Sequence, residues 1–331
     1  MNPNNYSTIS LFGLEMNPPR GFELFGMNIR FYGIVIAVGL LLAVIYGLKR
    51  SKQFGLKEDD ILDGVLGIVP FAIICARLYY VAFSWSDFKD DPLSILYIWE
   101  GGLAIYGGVI GAILGVTVLC LIRKIRLGAL LDLVALGFLI GQSMGRWGNF
   151  FNREAFGATT DVFCKMGLFN DVRQAYEYYH PTFLYESLWN LVGFLALHFL
   201  SKKRQYDGQI ALGYVFWYGL GRTFIEGLRV DSLYIGSLRV SQLLAALSCF
   251  AAAVLLVVNC FRRHDKEKLY VNVVALREAE EEDEEDEDDE DYDEEDNESS
   301  DEEEETSDEE ETEEASSEEP KEEKKTDIDE E

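Results

Sequence analysis

Four residues near the end of an otherwise apolar segment, Tyr218, Arg222, Glu226 and Arg229, are spaced by four, four and three. At 3.6 residues per turn they fall on one stripe about 16 Å long on a helix. Ionisable groups at membrane depth are costly, so each needs a partner or a water-filled cavity. One solution is local: Arg222 and Glu226 pair with each other. A second cluster, Arg146, Trp147, Gly148, Asn149, Phe150, Phe151, Asn152, Arg153 and Glu154, ends another apolar segment and sets a guanidinium and two amides one turn apart. A third arginine, Arg77, stands beside Tyr79 and Tyr80. Three arginines at one depth repel one another unless an anion lies among them, and phosphate fits because planar guanidinium donates to it bidentately. The pattern predicts a phospholipid-binding cavity facing the outer leaflet, with the lipid as substrate or as ligand.

The elements that must position these groups are apolar runs, each long enough to cross about 30 Å of hydrocarbon as a helix. Seven are read, at 31–48, 61–83, 103–122, 128–147, 182–200, 208–226 and 238–261. The fold class is therefore all-α, a polytopic membrane protein of about seven transmembrane helices. Lysine and arginine gather after the first, third, fifth and seventh runs: Lys49, Arg50, Lys52 and Lys57, then Arg123, Lys124 and Arg126, then Lys202, Lys203 and Arg204, then Arg262, Arg263, Lys266 and Lys268. Such segments face the cytoplasm. The N-terminus is then outside, the C-terminus inside, and both charge clusters lie at the outer end, next to a small extracytoplasmic loop region. Met1 to Ile29 shows no cleavable signal pattern.

Charge divides the chain. The segment 278–331 holds 37 of the 58 acidic residues with three lysines, whereas 1–277 carries 26 basic against 21 acidic groups. A segment of one charge sign with scarcely any apolar residues cannot bury a core. The expected organisation is a transmembrane catalytic domain over 1–265, a basic-to-acidic linker over 266–277 and a disordered acidic cytoplasmic tail over 278–331. Five cysteines, of which only Cys164 falls in an outer connection, imply no disulfide framework. No spacing of His or Cys suggests a metal, and no cofactor is expected. Gly107, Gly111 and Gly115 in the third run, and Gly137, Gly141 and Gly145 in the fourth, make two small-residue faces that predict contact between those helices. Trp85, Trp99, Trp147 and Trp217 read as interfacial anchors. In the connection 148–181, Pro181 marks the start of the fifth helix.

The stretch GRWGNFFNREAFG at 145–157 resembles the signature of the prolipoprotein diacylglyceryl transferases. In the same order, IRFYG (29–33), ARLYYV (76–81), GGLAIYGGVIG (101–111), HPTFLYES (180–187), GRTFIEGLRVDSL (221–233) and RVSQ (239–242) resemble further segments of that family. The resemblance covers roughly 28–263 and leaves out the tail. It implies a multi-pass enzyme of the bacterial inner membrane whose site faces the extracytoplasmic side. The implied reaction moves the diacylglyceryl group of phosphatidylglycerol to the thiol of the lipobox cysteine in a prolipoprotein signal peptide, releasing glycerol phosphate. Its partners are membrane lipid and prolipoprotein, with no nucleic acid. The resemblance assigns Arg146 and Arg222 to the leaving phosphate. It makes Asn149, Asn152, Glu154, Tyr32, Tyr185, Glu186, Tyr218, Glu226 and Arg229 lipid-binding or cavity-ordering residues.

One position departs from the family pattern. Many members carry histidine where this chain has Tyr106, and that histidine looks like a base for the thiol. A tyrosine with its ordinary pKa near 10 is a poor base. Activation of the thiol stays open among His180, a Tyr106 shifted by nearby arginine, Glu154 and the departing phosphate. A retinal-type receptor is disfavoured because the seventh run contains no lysine. A transporter is disfavoured because neither an interrupted helix at the midplane nor an internal repeat is visible.

Overall fold

Backbone that has no water to bond must satisfy itself within the segment, and the apolar runs do so as long helices. In the computed structural model, residues 6–24, 27–98, 101–230, 234–235 and 238–282 are described. The helices are α1 (Phe31–Arg50), α2 (Glu58–Phe83), α3 (Ile105–Ile122), α4 (Leu127–Asn152), α5 (Thr182–Ser201), α6 (Gln209–Leu228) and α7 (Val240–Cys260). Six of them, all but α6, are long and apolar enough to cross a membrane. Helix α6 is diluted by Gln209, Arg222 and Glu226, so its apolar content falls short although its length of 20 residues does not. Helix α4 is central: 39% of its most apolar stretch is buried, against 11% for α1, α3 and α7.

Within the unit Met1–Leu276, two apolar cores form at opposite ends of the bundle. One gathers Phe54, Leu56, Leu130, Leu133, Leu136, Leu139, Leu197 and Ile210. There the fully buried Asp132 of α4 accepts the backbone N–H of Gly208, Ile210 and Ala211, at 2.9 Å each. It thus satisfies the donors that the first turn of α6 leaves open. The other core joins Phe150, Phe156 and Phe183 to Tyr6, Ile9, Leu11, Met166, Leu168 and Tyr179.

That second core underlies a small sheet, and here the all-α expectation is corrected to mostly helical. Strands β1 (Tyr6–Leu11), β2 (Leu14–Met16), β5 (Met166–Asn170) and β6 (Ala175–Tyr179) pair antiparallel in the order β2-β1-β5-β6, and β3 (Gly21–Leu24) pairs with β4 (Met27–Arg30). Strands this short give a weak periodic signal. The turn between β5 and β6 is set by Asn170, whose side-chain oxygen accepts the N–H of Val172 and Arg173. Residues 270–276 are helical, as are 277–282 of the second unit. The remainder of the acidic tail, 283–331, lies outside the described residues, as does Trp99.

The glycine faces do not meet each other. Helix α3 turns Gly107, Gly111 and Gly115 to α2, where they lie against Tyr79, Cys75, Ala72 and Ile68. The face of α4 meets α1 instead: a Cβ on Gly39 would stand 3.1 Å from Met144 Cβ and 3.5 Å from Gly141 Cα. Four-residue spacing defines a face but not its partner, and here the glycines make room for side chains of the antiparallel neighbours α2 and α1. Two tryptophans also depart from the anchor reading. Trp217 and Trp189 stack at 4.4 Å and each donates its indole N–H to the other's carbonyl at 2.9 Å. Trp147 donates to Ser187 Oγ at 3.1 Å.

Packing at these glycines sets a contrast between two substitutions. Gly111→Val drives a side chain into Cys75 and Ala72 and lowers stability by about 1–3 kcal/mol, whereas a Cβ at Gly141 meets nothing within 4 Å. Thermal unfolding in detergent should therefore show Gly111→Val well below Gly141→Ala. Equal melting temperatures would contradict the α2–α3 contact.

Candidate active site at the end of the bundle

Helices α4, α5 and α6 bring their charged residues to the same end of the bundle. Small residues allow the close approach. Ser143 and Ser187 exchange hydroxyl-to-carbonyl bonds at 3.0 and 2.9 Å across α4 and α5. The Trp189–Trp217 stack locks α5 to α6 by lying over Gly193 and Gly221, where any Cβ would strike an indole.

The result is a cluster of three arginines and two carboxylates. Glu186, 4% exposed, is ion-paired with Arg146, whose Nε stands 2.5 Å from Oε2, and accepts Arg222 Nη1 at 2.7 Å on Oε1. Arg222 Nη2 pairs with Glu226 Oε2 at 2.6 Å, and Arg229 Nη1 stands 4.0 Å from Glu186 Oε1. The local Arg222–Glu226 pair therefore exists, but the group joining the helices is Glu186. Arg222 is held between two carboxylates. Arg146 gives only Nε to the cluster; its two terminal nitrogens have no ion pair or hydrogen bond among the described residues, and its side chain is 22% exposed. Counted formally, the five groups carry one positive charge more than they neutralise.

The other expected residues divide. Asn149 and Asn152 do converge, and the point they converge on is Glu154, whose Oε1 accepts both amides at 3.0 and 3.2 Å. Tyr32 on α1 lies flat against Gly148, leaving no room for a side chain there. Tyr218, with Glu186, Asn190 and Arg222, lines a cavity of about 10 Å³, room for a single water. A lipid headgroup has no space there.

Arg77 is occupied elsewhere. It is buried and donates Nε to the Ile95 carbonyl, Nη2 to that of Ser94, and Nη1 to those of Gly101 and Gly102, at 2.7–3.0 Å. Gly102 at φ +72° exposes its carbonyl at a spot where a Cβ would hit that guanidinium. Four of five donors spent on the carbonyls of Ser94, Ile95, Gly101 and Gly102 make Arg77 a clamp there, and no contact joins it to Arg146. Tyr106, in the first turn of α3, is 57% exposed, and its ring meets Tyr79 at 6.4 Å. Its hydroxyl reaches no charge of the cluster among the described residues. His180 sits nearer: Gly157 N–H donates to the His180 carbonyl and Ala158 N–H to that of Leu228, in the last turn of α6. Its Nδ1 is 3.3 Å from the Tyr185 hydroxyl.

Two residues escaped the sequence. Arg153 closes α4 in the left-handed region at φ +55° and, 4% exposed, donates to the Ser7 and Pro18 carbonyls and to Asn17 Oδ1. It fastens strand β1 to the end of α4. Burial lowers its pKa, and the Arg20 charge acts in the same direction. Asp132 is the second. Its ionisable type within an apolar run was a signal, but its acceptors' partners lie some 76 residues onward.

The family described as prolipoprotein diacylglyceryl transferase matches residues 19–258. Proteins named phosphatidylglycerol–prolipoprotein diacylglyceryl transferase are similar over most of their length. That of Clostridium novyi is 44% identical over 250 residues, covering 73% of this chain and 95% of the relative. Its counterpart in Enterococcus faecalis is 44% identical over 258 residues (75% and 92%). The Bacillus velezensis protein is 43% identical over 258 residues (76% and 94%).

Removing Arg222 strands Glu226 and half of Glu186 as uncompensated buried charges, which costs about 3–5 kcal/mol. Arg222→Ala should therefore melt well below the wild type in a detergent thermal-shift assay. A variant as stable as the wild type would show the cluster to be solvated rather than buried.

Proposed function

The chain belongs to the prolipoprotein diacylglyceryl transferase family, and from that membership we propose that it moves the diacylglyceryl group of phosphatidylglycerol to the lipobox cysteine thiol of prolipoproteins. This transferase reaction is the first step of bacterial lipoprotein maturation. The observation that carries the residue assignment is the Arg146 fork. Glu186 takes its Nε, and both terminal nitrogens stay available at the bundle surface.

The reaction breaks the bond between the glyceryl carbon and a phosphate oxygen, so negative charge gathers on the departing glycerol phosphate. A fixed bidentate donor at that oxygen lowers the barrier, most of all where water is thin. Arg146 is that donor. Arg222, fixed between Glu186 and Glu226, and Arg229 supply positive potential behind it. Asn149, Asn152 and Glu154 order the end of α4, and Tyr32 and Tyr218 wall the approach. His180 takes the part of base, because the Tyr106 hydroxyl is far more exposed and meets no charge.

In the membrane, α6 spans as a seventh helix, its charges neutralised by those on α4 and α5. The Lys- and Arg-rich ends of α1, α3, α5 and α7 face the cytoplasm of the bacterial inner membrane. The arginine cluster, at the opposite end, then faces the extracytoplasmic side, where a lipobox emerges. The acidic tail, on the same topology, belongs to the cytoplasmic side.

Mass spectrometry tests the reading. Purified protein with phosphatidylglycerol and a lipobox peptide should add a diacylglyceryl mass to the peptide cysteine, and the Arg146→Ala variant should not. A well-folded, lipid-reconstituted wild type that adds no mass would overturn the reaction, and an active Arg146→Ala would move the phosphate site elsewhere. Tyr106→Phe should turn over like the wild type.

A further inference from the structure

The transferase reading leaves open how the acceptor thiol loses its proton, and a thiol of this chain already marks a route. Cys164 Sγ lies 3.3 Å from the Tyr185 hydroxyl, and the same hydroxyl lies 3.3 Å from His180 Nδ1. Sulfur, phenol oxygen and imidazole nitrogen thus form one line of hydrogen-bonding atoms. All three side chains are half-buried, reachable from outside and shielded from full hydration.

The line ends beside the arginine cluster. Tyr185 directly precedes Glu186 in the first turn of α5. His180 N–H donates to Ala158 and Ala158 N–H to Leu228, while Gly157 bridges Arg229. Two strand-like steps of about 4.8 Å therefore separate the His180 backbone from that of Leu228–Arg229. The approach requires glycine at 157, since a Cβ there would stand 2.7 Å from His180 Cβ and 2.9 Å from the Leu228 carbonyl oxygen.

We propose that Tyr185 and His180 form the proton path that ionises the acceptor cysteine, and that Cys164 occupies the place which the acceptor thiol takes during turnover. The acceptor S–H donates to Tyr185 Oη as the Tyr185 proton passes to Nδ1 of a neutral His180 protonated on Nε2. The sulfur electron pair forms the new bond to the glyceryl carbon. The carbon–oxygen bond breaks with its pair left on the phosphate oxygen, at Arg146. His180 then returns the proton to the released glycerol phosphate or to water. Tyr185 is needed as a relay because its hydroxyl both accepts from a thiol and donates to an imidazole. The proposal rests on the transferase reading and adds the activating pair to it.

The test compares two lipobox peptides, one with cysteine and one with selenocysteine, on the full-length protein reconstituted with phosphatidylglycerol. A selenol is ionised at neutral pH and needs no base, whereas a thiol must be deprotonated to attack. Tyr185→Phe and His180→Gln should each slow transfer to the cysteine peptide by about 100-fold or more. Both should recover near wild-type rates on the selenocysteine peptide, which also shows that they are folded. Arg146→Ala should stay inactive on both peptides. Cys164→Ala, which frees the Tyr185 hydroxyl, should speed transfer at low peptide concentration. Variants at 180 and 185 that match the wild type on cysteine, or that stay slow on selenocysteine, would overturn the proton path. A Cys164→Ala as slow as Tyr185→Phe would overturn the stand-in role. A wild type inactive on both peptides would instead strike down the transferase reading, and the proton path with it.

Discussion

A carboxylate buried to 4% exposure must be neutralised where it lies, and among the described residues Glu186 has the arginines of two other helices to do it. That constraint organises the rest of the molecule. Arg146 comes from α4 and Arg222 from α6, so three helices must meet at one level before any of the three charges is tolerable. Serine pairing between α4 and α5 and tryptophan stacking between α5 and α6 bring them there. The arrangement overdetermines the arginines: Arg222 has no freedom left, and Arg146 keeps only its outer fork. Orientation is thereby set before a substrate arrives, which is what the proposed electrostatic stabilisation of a leaving phosphate requires.

The sequence made the helices legible because each apolar run is bounded by charge or by Pro and Gly, and the observed ends lie within a few residues of the expected ones. Tyr218, Arg222 and Glu226 were legible as a stripe because one helix carries them all. What was not legible is anything joining two helices. Glu186 was named as a motif residue, but its place between Arg146 and Arg222 follows from packing that no single period encodes. The same holds for the glycine faces, visible as faces while their partners were not, and for Arg77, whose burial pointed to an anion when four backbone carbonyls met the need. The sheet was missed because its strands come from both 6–16 and 166–179, and neither stretch shows a pattern strong enough alone.

Tyr106 and His180 show how a departure from a family pattern is read physically. The Tyr106 phenol is exposed, and its ring meets another tyrosine, Tyr79. An imidazole held at both backbone positions and bonded to a phenol has its orientation fixed. The more informative residue is the one whose geometry is constrained, whichever position a signature would favour.

Helix α6 falls short of the apolar content that the other long helices reach. The groups that cap its first turn and join its Arg222 to another helix lie earlier in the chain, while Arg239 and Gln242 at the start of α7 bond the Glu226 and Thr223 carbonyls. Asp132 satisfies the first turn of α6, Glu186 pairs with Arg222, and the indole N–H of Trp189 donates to the Trp217 carbonyl. During synthesis the segment carrying Arg222 and Glu226 therefore leaves the ribosome after its counter-charges and its cap have been made. For α6 as the proposed seventh span, transfer from the translocon into lipid is then a docking onto helices already present, not a partition of bare charge into hydrocarbon. On that reading the order of the helices along the chain is itself a means of lowering the insertion barrier.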